Sequence, residues 1–141
     1  MFILFVVCLI ILAIIDIRLQ RIPLEPILFL LAIGLFGQVA NGNALNALYG
    51  MGIGLGFFGL QFLVSKGRWI GDGDIWLAGA MGAWLGWWGM LIALYAAYMG
   101  GGLIALILLV LGVWKRGQRV PFAPFLALGG IVAIAVRYWG I

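Results

Sequence analysis

Long apolar runs follow one another along the chain, separated by short polar or basic breaks. The runs are continuous and show no strict alternation, so they read as helices and not as strands of a membrane barrel. Six spans are predicted: Phe2 to Ile17, Pro26 to Ala40, Ala44 to Ser65, Asp74 to Trp87, Met90 to Val113 and Phe122 to Tyr138. A bilayer-crossing helix takes roughly 17–25 mostly apolar residues. The first, second and fourth runs are short by that measure, and tilt little, thin the bilayer or extend into their flanks. Lipid offers backbone groups no partners, which a helix supplies internally. The predicted fold is all-α: a polytopic transmembrane helical bundle of about six spans, forming a single domain over residues 1–141.

Composition supports the same solvent. Hydrophobic residues make up 67% of the chain and charged residues 9%, and the mean hydropathy is +1.27. A soluble domain is usually about 45–50% apolar and about 25% charged, so lipid must cover the excess. The amino-terminal run lacks a basic flank and a small-residue cleavage site, and is read as a retained span. Gly50 with Gly54, Gly52 with Gly56, and Gly82 with Gly86 are small-xxx-small pairs, expected to let helices pack closely.

The net charge of +4 would suggest nucleic acid in a soluble protein. Here the bases mark topology, and no nucleic-acid partner is expected. Arg18 and Arg21, Lys66 and Arg68, and Lys115, Arg116 and Arg119 fall in alternate breaks; only Arg137 falls on the other side. By the positive-inside rule the three basic loops are cytoplasmic. Both termini are then outside.

Candidate chemistry emerges by elimination. The chain has no histidine and no threonine, one serine, Ser65, and one cysteine, Cys8. Histidine-based triads and HExxH zinc hydrolysis are excluded, and no disulfide or CxxC metal pair can form. A Ser-Lys pair would need Ser65 with Lys66 or Lys115, and adjacent residues on a helix diverge. Four carboxylates remain: Asp16, Glu25, Asp72 and Asp74. Asp16 closes the first run and Asp74 opens the fourth, which sets both at one membrane depth on the cytoplasmic side. Ion pairs with Arg18, Arg21 or Arg68 are the simpler use for them. Charged groups at span ends are nevertheless functional candidates, and Gly71-Asp72-Gly73-Asp74 reads G-x-G-D at a helix start. Glycine there lets a substrate backbone come close to the acid.

Three blocks carry a resemblance to a known family. They are Asp16-Ile17-Arg18 through Arg21-Ile22-Pro23, Gly71-Asp72-Gly73-Asp74 continuing to Gly86, and Val120-Pro121-Phe122-Ala123-Pro124 continuing to Gly129. In order and separation they resemble the peptidase region of the type IV prepilin peptidases, a branch of the GxGD membrane aspartic proteases. The resemblance implies that Asp16 and Asp74 are the catalytic pair, supported by Gly71 and Gly73. It implies cleavage of the basic leader of prepilins or pseudopilins at the cytoplasmic face of a bacterial inner membrane, serving type IV pili or type II secretion. No metal or other cofactor is expected. Glu25, between two prolines, is a candidate for recognising the basic leader. Two departures stand out. Trp76 occupies a position that is commonly lysine in the family. The chain also starts at the first span with one cysteine, so the family's N-methyltransferase activity is not expected of it. The competing readings are a small proton-relay transporter, which would favour mid-membrane acids and broken helices, and an inactive structural subunit of a secretion system.

Overall fold

The computed structural model of the protein describes residues 2–113 and 121–140. Lys115, Arg116, Arg119 and Val120 therefore lie outside the described residues. Five α-helices follow in order: α1 (Phe2–Leu19), α2 (Leu24–Ala40), α3 (Ala44–Ser65), α4 (Asp72–Val110) and α5 (Ala123–Trp139). The described residues contain no strand.

Each connection has a local cause. After α1 the chain leaves the helix at Gln20, whose φ is 51°, and Pro23 in extended geometry caps α2. Lys66 ends α3 in the left-handed region at φ 52°. Ser65 completes that end: its hydroxyl accepts the Trp69 N–H at 3.3 Å and donates to the Phe62 carbonyl at 3.4 Å. The only serine is thus used in a helix terminus.

Helix α4 is the centre of the bundle and packs against α2, α3 and α5, and α1 packs on α5 and α2 and touches α4 through Phe5 and Trp84. Its 39 residues cover the predicted fourth and fifth spans as two helical stretches on either side of Gly86. It is interrupted at Gly86, where φ is 72° and ψ is 179°. The contacts on α3 show what the interruption does. Gly54 faces Ala78 and Gly50 faces Gly82, so the first part of α4 runs antiparallel to α3. Farther along, the Trp87 N–H donates to Asn46. Tyr98 then bonds Gln61, back beside the other half of α3. The chain must therefore reverse near Gly86, and not at the Trp88-Gly89 position expected from the sequence. Only glycine adopts this φ without strain. Two amides serve backbone groups at the reversal: Asn46 Oδ1 accepts the Trp87 N–H at 3.1 Å, and Gln38 Nε2 donates to the Trp84 carbonyl at 2.9 Å.

The glycine pairs divide by role. A Cβ on Gly50 would overlap the Gly82 carbonyl, and one on Gly82 would overlap the Gly50 carbonyl, so these helices touch backbone to backbone. Gly52 and Gly56 face open space and pack on nothing. Trp84 lies on the opposite side of α4, stacked on Phe5 at a centroid distance of 5.0 Å. Its indole N–H donates to the Leu30 carbonyl at 2.6 Å. Trp84→Phe is expected to cost about 1–3 kcal/mol, because it removes a buried donor and leaves the carbonyl in an apolar core. Thermal unfolding in detergent measures this.

The outer surface is the inverse of a soluble protein's. Ile11, Ile14, Phe29, Phe36, Leu60, Leu63, Leu106 and Val110 are all exposed. Contiguous apolar surface on this scale belongs in lipid. Ala44–Ser65 and Asp72–Val110 are long and apolar enough to cross a membrane; Leu24–Ala40 and Ala123–Trp139 are shorter apolar helices.

Candidate active site

Asp16 sits in the last turn of α1 and Asp74 in the first turn of α4. They lie 58 positions apart in the chain, and both line one cavity of about 360 Å³. Each is buried, with 6% and 8% of its surface exposed.

The position of Asp16 is set from α5. Its Oδ2 accepts the backbone N–H of Ala123 at 3.3 Å, a contact spanning 107 residues. Ala123 opens α5, where an N–H has no partner within its own helix. The helix dipole there also favours a negative group. Pro121 lines the cavity just before it, and Pro124, the second residue of α5, suits the first turn. The Val120–Gly129 block thus contributes a donor to the first acid, an arrangement that residue types alone did not reveal.

Asp74 is placed by its own motif. Gly71 is the N-cap of α4, in extended geometry at φ −75° and ψ 153°, and its carbonyl accepts the Asp74 N–H at 3.2 Å. The Asp74 carboxylate lies over Gly71, close enough that a Cβ there would stand 3.7 Å from Oδ2. Gly73 has another use. A Cβ on it would meet Ile22 at 3.1 Å. Its bare face receives the α1–α2 connection, and so seats the segment carrying Asp16 against the helix carrying Asp74. The expected open approach for a substrate backbone is filled at Gly73 by Ile22.

Other walls of the cavity include Gln20, Arg21, Trp69, Asp72 and Phe122. In the sequence Arg21 is a topology marker, a possible ion-pair partner for the acids and part of the first family block, and it stands here as a cavity wall. Gln20 and Trp69 carry no sequence signal for a site. Asp72 is exposed at the rim. Glu25 is exposed in the first turn of α2 and is not one of the cavity walls. Trp76, with 44% of its surface exposed, also stands outside the cavity.

Behind the cavity lies a polar pair in an aromatic cluster. Gln61 and the Tyr98 hydroxyl are hydrogen-bonded at 2.7–2.9 Å. The Tyr98 ring packs on Phe122 at 5.1 Å and on Phe57 at 5.4 Å. The pair braces Phe122, which lines the cavity and precedes the Ala123 donor. Gln61→Leu, which strands the phenol among apolar rings, is expected to cost about 1–3 kcal/mol, read from thermal unfolding beside the wild type. Among the described residues no group of three His, Cys, Asp or Glu side chains forms a metal cage.

The type IV leader peptidase family matches residues 3–107, and the chain belongs to that family. It is 34% identical over 132 residues to a prepilin leader peptidase/N-methyltransferase of Legionella pneumophila, covering 89% of this chain and 45% of the relative. A Pseudomonas aeruginosa protein of the same description is 32% identical over 136 residues, with 91% and 45% covered. One from Escherichia coli is 31% identical over 137 residues, with 91% and 59% covered. The chain thus spans about half the length of the relatives it matches. No solved structure matches it.

Proposed function

We propose that the protein is a membrane aspartic endopeptidase that removes the basic leader of type IV prepilins or pseudopilins at the cytoplasmic face of a bacterial inner membrane. The carrying observation is the convergence of Asp16 and Asp74, from α1 and α4, on one cavity. Family membership supports the peptidase class.

Amide hydrolysis by two carboxylates needs one ionised and one protonated. The ionised acid takes a proton from a water whose oxygen then attacks the scissile carbonyl. The protonated acid hydrogen-bonds the carbonyl oxygen, and a proton is afterwards delivered to the leaving amine. Neighbouring carboxylates resist double ionisation, so the pair titrates as a unit and shares one proton. The Ala123 N–H holds the Asp16 carboxylate in place. We assign no metal or other cofactor to this reaction. Asp72, exposed at the rim, suits contact with a basic leader better than proton chemistry. Asp72→Asn is expected to retain substantial turnover with a raised KM for peptides carrying leader lysines or arginines; an unchanged KM would remove that contact.

The proton-relay reading gains a broken helix at Gly86. That break lies twelve residues from Asp74, roughly 18 Å along a helix, and amide side chains already serve backbone groups there. The acids sit at the other end, which favours the peptidase.

In the proposed topology the chain crosses six times, with α4 contributing two crossings through its reversal at Gly86. The loops at Arg18 and Lys66 face the cytoplasm. Cysteines introduced singly at Gly42 and Lys66, in a Cys8→Ala background, are expected to be labelled from the outside and the cytoplasmic side respectively. Cytoplasmic labelling at position 42 would reverse the orientation.

A further inference from the structure

The end of the bundle opposite the acids holds two cavities, of about 650 and 410 Å³, and Arg137 and Asn43 line both. No side-chain carboxylate of the chain is available to Arg137. Asp16, Asp72 and Asp74 surround the acid cavity, and Glu25, the fourth of the four acids, opens α2 at that same end. Arg137 is exposed, so an anion from outside can reach its guanidinium.

Neighbouring amides show which donors are open. Gln38 Nε2 is committed to the Trp84 carbonyl and Asn41 Nδ2 to the Gly37 carbonyl. Asn46 spends its Oδ1 on the Trp87 N–H, which leaves its Nδ2 as a donor. Asn43 makes no capping bond with its side chain. Arg137, Asn43 and Asn46 thus offer N–H groups around the larger cavity, a donor set suited to phosphate oxygens. Exposed Trp87, Trp88, Tyr138 and Trp139 ring this end, as aromatic residues do at headgroup depth.

One more feature separates a lipid from a free anion. An apolar groove of about 610 Å³, lined by Leu48, Tyr49, Gly52, Ile53 and Trp87, adjoins the larger cavity through their shared walls Tyr49 and Trp87. Gly52 has nothing within 4 Å of where its Cβ would stand, so the groove floor is open. We propose that this end binds a phospholipid, its phosphate held by Arg137 with Asn43 and Asn46, and one acyl chain lying along α3 over Gly52. The proposal rests on membrane insertion and is independent of the peptidase chemistry.

The test is titration of the delipidated, detergent-purified protein with dioleoyl phosphatidylglycerol, read by native mass spectrometry. Wild type is expected to retain one tightly held lipid. Arg137→Gln should bind it roughly tenfold more weakly, as loss of a charge-assisted hydrogen bond implies. Gly52→Leu, which fills the groove, should weaken it severalfold, and Arg18→Gln at the other end should match wild type. Millimolar inorganic phosphate should not displace the lipid. Equal binding by wild type, Arg137→Gln and Gly52→Leu would overturn the proposal. So would an effect of Arg137→Gln alone together with displacement by phosphate, which would mark a free-anion site. Prepilin cleavage by Arg137→Gln at the wild-type rate would keep the failure of this site distinct from any failure of the peptidase reading.

Discussion

Gly82→Val and Gly50→Val are each expected to leave little or no folded protein. At these positions the added carbon meets the carbonyl of the facing glycine, and backbone cannot step aside as a flexible side chain can. Inserting bulk into a packed core costs about 1–3 kcal/mol where side chains can adjust. Here α3 and α4 must separate along their contact, so the loss is expected to exceed that range. It would also splay α4, whose first turn carries Asp74. Gly52→Val and Gly56→Val, on the open side of the same helix, should lie within about 0.5–1 kcal/mol of wild type in thermal unfolding. Without an apolar drive between helices in lipid, close packing of this kind holds the bundle together. Equal destabilisation by all four variants would show that the close contact does not carry the bundle.

Asp74→Asn is expected to lower prepilin cleavage by at least about 10³-fold, the scale of a lost general acid–base group. Asparagine keeps the shape, so the variant should remain folded and inserted. If the two acids form one unit, Asp16→Asn/Asp74→Asn should be no worse than either single variant. The wild-type rate should rise and fall with pH. The acid limb reports protonation of the ionised member, and the alkaline limb reports loss of the shared proton. Cleavage with only one limb between pH 3 and 10 would count against proton sharing.

Much of this was legible because membrane chemistry leaves few options. The apolar runs set the helices, and α3 follows its predicted bounds, Ala44 to Ser65. The absence of histidine left four carboxylates, and span-end placement, the G-x-G-D pattern and the family resemblance pointed to Asp16 and Asp74 among them. Other features are properties of the third dimension. The N–H that holds Asp16 belongs to Ala123, and a backbone donor has no residue type to betray it. Gly73 reads as a place for substrate, yet receives Ile22, because a bare helix face takes whichever neighbour the fold supplies. The reversal falls at Gly86 and not two residues later, since Asn46 and Gln38 from other helices are in place to serve it. Glu25, flagged by its prolines, stands apart from the cavity, because α2 turns its first residues outward. Tyr98 passes for packing until its bond to Gln61 is seen.

The central claim is that Asp16, which lies outside the G-x-G-D motif, acts together with Asp74. The most direct measurement is cleavage of a leader-bearing prepilin peptide by the purified protein in detergent, followed by mass spectrometry. Wild type is expected to release the basic leader, and Asp16→Asn, purified at the same yield with the same unfolding profile, to release none above background. Wild-type cleavage by Asp16→Asn would contradict the account.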